Sequence, residues 1–213
     1  MTPPLRFPRG LYGVTPDWTD ANRLEQAIRA AADGGMSAVQ LRVKPASTQE
    51  RRELAQHLLP VCRSLNIALI INDDWQLAAE IGADGVHLGK DDADPDHVRK
   101  QLPASMLLGA SCYGDLERAR QMLATGVDYI AFGAMFSSAT KPQAPSAPLS
   151  VLTDARELVK TITPRPAVVA IGGITAGNVA RVVSAGADSV AVVGGLFLAT
   201  DVKQAARDFA ALF

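Results

Sequence analysis

Short apolar runs recur along this chain at intervals too wide for hairpins. They fall at residues 11–15, 38–44, 68–73, 85–89, 107–112, 129–136, 167–174 and 189–197. Between them lie stretches with helical spacing. Leu24, Ala27, Ile28 and Ala31 form one apolar stripe, and Leu54, Leu58, Val61 and Leu65 form another. The last stretch, residues 201–213, completes an eighth unit. Runs that are apolar on both faces and joined by helix-length crossovers predict parallel strands. Eight such units in 213 residues predict a closed (β/α)8 barrel of the TIM type, with an open doubly wound sheet as the alternative. The expected division is an N-terminal extension at residues 1–10 and a barrel at residues 11–213.

A faint internal repeat supports closure. Segments beginning at Gly34, Gly82, Gly126 and Gly186 each join a helix end to an even-numbered strand, so the repeating unit is βαβ. Glycine suits the left-handed end of a helix, and the Asp that follows in three copies suits a tight turn into the strand. These residues belong to the amino-terminal face of a barrel, away from the chemistry.

A net charge of -1 gives no electrostatic case for nucleic acid or an anionic membrane. Small-molecule partners are expected, and a homo-oligomer stays open. Cys62 and Cys112 are too few for a disulfide framework and lack metal-ligand spacing, which points to reduced thiols and a cytoplasmic location. The first ten residues hold no apolar core of signal-peptide length, and no run approaches the roughly 20 apolar residues of a membrane helix.

Unusual residues gather where the strands should end. The period of two puts Gln40, Arg42 and Lys44 on one face of the second strand, opposite Leu41 and Val43. Polar groups in so apolar a strand are costly without a partner or a function. Asn72, Asp73 and Asp74 end the third strand, and Asp91 and Asp92 lie just past the fourth. Carboxylates converging without His or Cys ligands suit Mg²⁺, which is usually shared between one or two carboxylates and substrate phosphates. Asp73 and Asp92 are the candidate ligands, whereas Asp74 and Asp91 fit surface capping roles. Residues 137–148, rich in hydroxyls and proline with one lysine, read as a mobile loop able to close over an anion. Glycine pairs at Gly172-Gly173 and Gly194-Gly195 end the last two strands, where barrels frequently bind phosphate. His87 reads as a hydrogen-bonded core histidine, and His57 and His97 as helix-surface residues. Ser111 reads as a binding group, since no Ser-His-Asp arrangement assembles around it.

Taken together, Leu11-Tyr-Gly-Val-Thr15, Gln40-Leu-Arg-Val-Lys44, Ile71-Asn-Asp73, Gly82-Ala-Asp-Gly-Val-His-Leu-Gly89 with Asp92, Gly109-Ala-Ser111, Ser138-Ala-Thr-Lys141 and Ala170-Ile-Gly-Gly-Ile174 resemble the thiamine-phosphate synthase family. The resemblance runs from about residue 11 to the carboxyl terminus. It implies a transferase that joins hydroxymethylpyrimidine diphosphate to thiazole phosphate, giving thiamine phosphate and diphosphate by a dissociative, Mg²⁺-assisted substitution. By the same resemblance, Gln40, the backbone at Leu41 and Val43, and Ser111 would hold the pyrimidine. Arg42, Lys44, Asn72 and Lys141 would contact its diphosphate, and Asp73 and Asp92 would hold Mg²⁺. The thiazole phosphate would fall to Ser138, Ala139, Thr140, Gly173, Val193 and Gly194. Arg42, Lys44, Lys141 and Ser111 are the residues expected nearest the chemistry.

Three positions depart from the family pattern: Lys90 replaces a glutamine, Ser138 a threonine, and Gly194 a serine. The competing readings are a thiazole tautomerase-like isomerase and a non-catalytic sensor of thiamine precursors. An isomerase would need no diphosphate or metal machinery, and Asp73, Asp92, Arg42, Lys44 and Lys141 argue against it.

Overall fold

The computed structural model describes residues 3–137 and 146–213. Eight parallel strands close into a barrel in the order of the chain: β1 (Gly10–Val14), β2 (Met36–Leu41), β3 (Ala68–Asn72), β4 (Gly85–Leu88), β5 (Leu107–Tyr113), β6 (Tyr129–Phe132), β7 (Ala167–Ile171) and β8 (Ser189–Val192). Crossover helices follow each of the first seven strands: α1 (Ala21–Asp33), α2 (Thr48–Ser64), α3 (Trp75–Ile81), α4 (Pro95–Gln101), α5 (Leu116–Ala124), α6 (Ser150–Val159) and α7 (Val179–Ser184). Two helices, α8 (Gly194–Phe197) and α9 (Val202–Ala210), follow the last strand. The open sheet is thereby excluded.

Local chemistry sets the helix starts. Ser47 and Glu50 cap α2 reciprocally, and Asp20, Asp74, Asp94, Asp115 and Asp201 each accept from backbone amides at the first turn of their helices. The role expected for Asp74 is therefore observed, whereas α4 is capped by Asp94 and not by Asp91. The stripe residues Leu24, Ile28, Ala31, Leu54 and Leu58 are buried in the core against the barrel wall, and Val61 is buried as well.

The period of two sorts the strand residues into two cores. Tyr12, Val14, Ala38, Ile70, Tyr129, Ala131, Val169 and Ala191 fill the barrel interior. Leu11, Val39, Leu41, Leu69, Ile71, Val86, Leu88, Ile130, Phe132, Val168 and Val190 face the helices. Large and small interior residues are matched. A methyl group on Gly109 would stand 2.0 Å from the Tyr129 ring, so the glycine makes room for that ring. From the expected extension, Phe7 packs beneath this interior, with its ring 5.0 Å from Tyr12 and 4.2 Å from Tyr129 between centroids. Leu5 pairs with Arg165.

The repeated Asp does more than turn the chain. Asp84 accepts from the Leu69 amide, Asp128 from Leu108 and Asp188 from Val168, each at 2.8 or 2.9 Å. Each of the three copies with an Asp thus staples the entrance of an even-numbered strand to its preceding neighbour. In the first copy the left-handed residue is Gly35 (φ 103°), one place after Gly34, which is helical.

Several strands are shorter than their apolar runs. β2 stops at Leu41, β6 at Phe132, β7 at Ile171 and β8 at Val192. Apolar character persists past each end because Val43, Met135, Ile174, Leu196 and Phe197 still pack into the core under the helices. Residues 194–197, expected as strand, are helix α8.

Candidate active site

The carboxyl ends of the strands bring the expected residues among those described to one mouth. Gln40 lies inside the barrel, 5% exposed, with its Nε2 donating to Tyr12 Oη at 2.8 Å. Arg42 and Lys44 lie beyond the end of β2, so the face they share with Gln40 continues into a loop. The loop is held from β1. The Arg42 amide donates to Thr15 Oγ1 (2.9 Å), and the Lys44 amide donates to Asp17 Oδ1 (2.9 Å). The same carboxylate lies 3.8 Å from the Arg42 guanidinium. Leu41 and Val43 are buried toward the helices, leaving only their backbone to meet a ligand.

Asn72 ends β3 in register with His87 of β4. Asp73 follows in the left-handed region at φ 63°, with its amide donating to the His87 carbonyl at 2.9 Å. Asp92 reaches back to accept from the Gly89 amide at 2.6 Å, a distance that a side chain at Gly89 would obstruct. The two acids converge. Burial, together with the hydrogen-bonding approach and charge of Asp92, pushes the Asp73 carboxyl up to about 6, although Lys44 and Asn72 pull the other way. No cluster of three or more His, Cys, Asp or Glu with metal-holding geometry occurs among the described residues. A pair of crowded carboxylates is nonetheless a donor set that fits Mg²⁺, an ion that completes its shell with water and substrate oxygens. Lys90, beside this pair in sequence, is exposed.

At the opposite wall, β7 is followed by Gly172 (φ 96°) and Gly173 (φ 65°), and the second of these passes the Phe136 and Ser137 carbonyls too closely for any side chain. Val193 precedes α8, and Gly194 opens it. The first amides of a helix have no carbonyl of their own behind them and can face a ligand. A methyl group at Gly194 would meet only Leu198, at 3.6 Å. Ser138, Ala139, Thr140 and Lys141, and most of the expected mobile loop, lie outside the described residues.

Ser111 and His87 are joined, an arrangement that the sequence did not show. His87 Nε2 lies 2.9 Å from Ser111 Oγ, and its Nδ1 lies 3.0 Å from Tyr129 Oη. Burial pulls the His87 imidazole down to about 4 against the opposing charge of Asp92. It is the satisfied core histidine expected, with partners from β5 and β6. Two further residues went unnoticed. Arg118 of α5 donates to the Ser111 carbonyl (2.7 Å) and to the Gly89 carbonyl (3.3 Å), tying the β4 and β5 loops together, and Asp17 orders the Arg42–Lys44 loop. Arg118 carries no signal in sequence beyond a helical position. Asp17 lies three residues past the end of β1, which is a usable hint.

A model of thiamine monophosphate synthase matches residues 11–196, nearly the whole barrel. The chain belongs to that family. It is 58% identical over 210 residues to the thiamine-phosphate synthase of Bordetella bronchiseptica, covering 98% of this chain and 97% of the relative. The Methylobacillus flagellatus synthase is 48% identical, covering 99% and 97%. Among solved structures, thiamine phosphate pyrophosphorylase from Pyrococcus furiosus superposes with a TM-score of 0.83 at 30% identity, covering 97% of this chain and 96% of the other. A 3-hexulose-6-phosphate synthase, at TM-score 0.69 and 19% identity, shares the fold alone. With membership comes the activity, thiamine-phosphate synthesis by a transferase.

Proposed function

We propose that this barrel mouth joins hydroxymethylpyrimidine diphosphate to thiazole phosphate by a dissociative substitution. The C–O bond between the pyrimidine's methylene carbon and diphosphate breaks, the electron-rich ring shares the positive charge left on that carbon, and the thiazole nitrogen forms the new C–N bond. Gln40, Ser111 and the backbone at Leu41 and Val43 hold the pyrimidine. Arg42, Lys44, Asn72 and Lys141 hold the departing diphosphate, whose charge grows as the bond lengthens and is best met by preorganised cations. Asp73 and Asp92 hold Mg²⁺, which neutralises diphosphate oxygens when bound. Ser138, Ala139, Thr140, Gly173, Val193 and Gly194 take the thiazole phosphate. No side-chain nucleophile enters the scheme, and buried Cys112, its thiol pushed up to about 12 by burial, is poorly suited to be one.

The observation that carries this reading is the crowding of Asp73 against Asp92 at adjacent strand ends, with Lys44 close enough to act on Asp73. Such a pair has no use in an isomerase that binds a single phosphate. No helix among the described residues is long and apolar enough to cross a membrane. The cytoplasm is the proposed compartment, because Cys62 and Cys112 are free, buried thiols. Calorimetric titration of pyrimidine diphosphate, with and without Mg²⁺, tests the metal assignment. Binding should strengthen with the ion in the native chain and lose that gain in Asp73→Asn. An equal gain in both would move the metal elsewhere.

A further inference from the structure

A continuous file of hydrogen-bonded polar groups runs through the largely apolar interior of this barrel. Gln40 Nε2 meets Tyr12 Oη at 2.8 Å, Tyr12 Oη meets Tyr129 Oη at 3.0 Å, Tyr129 Oη meets His87 Nδ1 at 3.0 Å, and His87 Nε2 meets Ser111 Oγ at 2.9 Å. Both tyrosines are fully buried, and phenylalanine would fill the same volume without two hydroxyls to satisfy. The hydroxyls therefore need another explanation. Both ends of the file are residues that the proposed function assigns to the pyrimidine.

We propose that Tyr12, Tyr129 and His87 form a one-directional hydrogen-bond relay that presents the Ser111 hydroxyl as a donor to the pyrimidine. The direction follows from counting hydrogens. An amide NH₂ can only donate, so Tyr12 accepts from Gln40 and its own hydrogen goes to Tyr129. Tyr129 then donates to His87 Nδ1. A neutral imidazole with an acceptor Nδ1 carries its hydrogen on Nε2, which donates to Ser111 Oγ. The serine hydrogen is left for the ligand, and Gln40 Oε1 is left as an acceptor. A ligand edge bearing a donor and an acceptor, such as an aminopyrimidine, fits that pair. Turning the Gln40 amide over would reverse every bond, place the hydrogen on Nδ1 and make Ser111 an acceptor. Tyr12, Tyr129 and His87 are thus positioning residues, acting through Gln40 and Ser111.

The substrate half of this inference rests on the assignment of the pyrimidine to Gln40 and Ser111, and the experiment separates the two. Nitrogen-15 NMR of the histidine-labelled free enzyme reads the tautomer directly, with the resonance lost in His87→Gln identifying His87 among three histidines. The native ring should carry its hydrogen on Nε2. A hydrogen on Nδ1 overturns the relay without any variant being made. In Tyr129→Phe, or in Tyr12→Phe if the first fails to fold, the ring should become a mixture of tautomers. An unchanged single tautomer in both also overturns it. The KM for pyrimidine diphosphate should rise roughly tenfold in Tyr129→Phe, about the effect of one lost hydrogen bond, with the KM for thiazole phosphate unmoved. On a Ser111→Ala background the same change should add nothing, whereas an additive loss would mark a purely structural role and overturn the coupling. If the tautomer behaves as expected but Gln40→Ala and Ser111→Ala leave pyrimidine diphosphate binding intact, the relay stands and the substrate assignment falls.

Discussion

Replacing Asp73 by asparagine should stabilise the protein while disabling it. The folded-state pKa of Asp73 is raised from 3.8 to about 6 by burial and by Asp92, so the fold resists ionising this group. A shift of about two units corresponds to about 3 kcal/mol at 1.36 kcal/mol per unit, and solvent screening of a half-buried pair reduces this to about 1–2 kcal/mol. The sign follows from proton counts. Between about pH 4 and pH 6 the folded state holds a proton that the unfolded state has released, so native stability falls as pH rises through that window. Above it the deficit is complete, and below it there is none. Asp73→Asn removes the charge, keeps the shape, and places at φ 63° a residue that tolerates the left-handed region well. For a chain of this size the gain amounts to roughly 3–6 °C in melting temperature. Scanning calorimetry in EDTA at pH 8 and pH 4 reads it. The gain should appear at pH 8 and vanish at pH 4. Equal gains at both pH values would show a backbone effect, and a loss at pH 8 would refute the crowding argument. Added Mg²⁺ should raise the melting point of the native chain more than that of the variant.

Three further outcomes follow. Gly194→Ser should leave thiazole phosphate affinity nearly unchanged, because space is open there. Gly194→Pro should fold, since proline is tolerated in the first turn of a helix, yet lose affinity with its amide, and a folded variant with native affinity by calorimetry would return Gly194 to a packing role. Lys141→Ala should slow single-turnover chemistry more than it weakens thiazole phosphate binding, and a purely affinity-level defect would make the lysine a uniform binder. Asp188→Asn should cost about 3–5 kcal/mol in chemical denaturation, because Arg165 is left buried without its bidentate partner, and a loss under about 1 kcal/mol would contradict that pairing.

Periodicity made the barrel legible. Apolar runs sorted by the period of two, with helix-length spacers, leave little choice of topology. Strand ends were less legible because Val43, Ile174 and Phe197 remain apolar after the hydrogen-bonded ladder stops, being buried in the core shared by strands and helices. Gln40, Arg42 and Asp73 stood out as polar groups in or at the end of apolar runs, and Asp92 by its place just past the fourth run. Tyr12 and Tyr129 did not, since a tyrosine in a strand looks like ordinary core. Their hydroxyls meet across 117 residues of sequence, and no local pattern records that meeting. The same holds for Arg118, whose acceptor just past β4 is a backbone carbonyl 29 residues away.

The central claim is tested most directly by mixing the purified protein with hydroxymethylpyrimidine diphosphate, thiazole phosphate and Mg²⁺ and following the products by mass spectrometry. Thiamine phosphate and diphosphate should appear together in equal amounts, and both should disappear in excess EDTA or when either precursor is omitted. Full turnover in EDTA, or diphosphate release without thiamine phosphate when both precursors are present, would contradict the account.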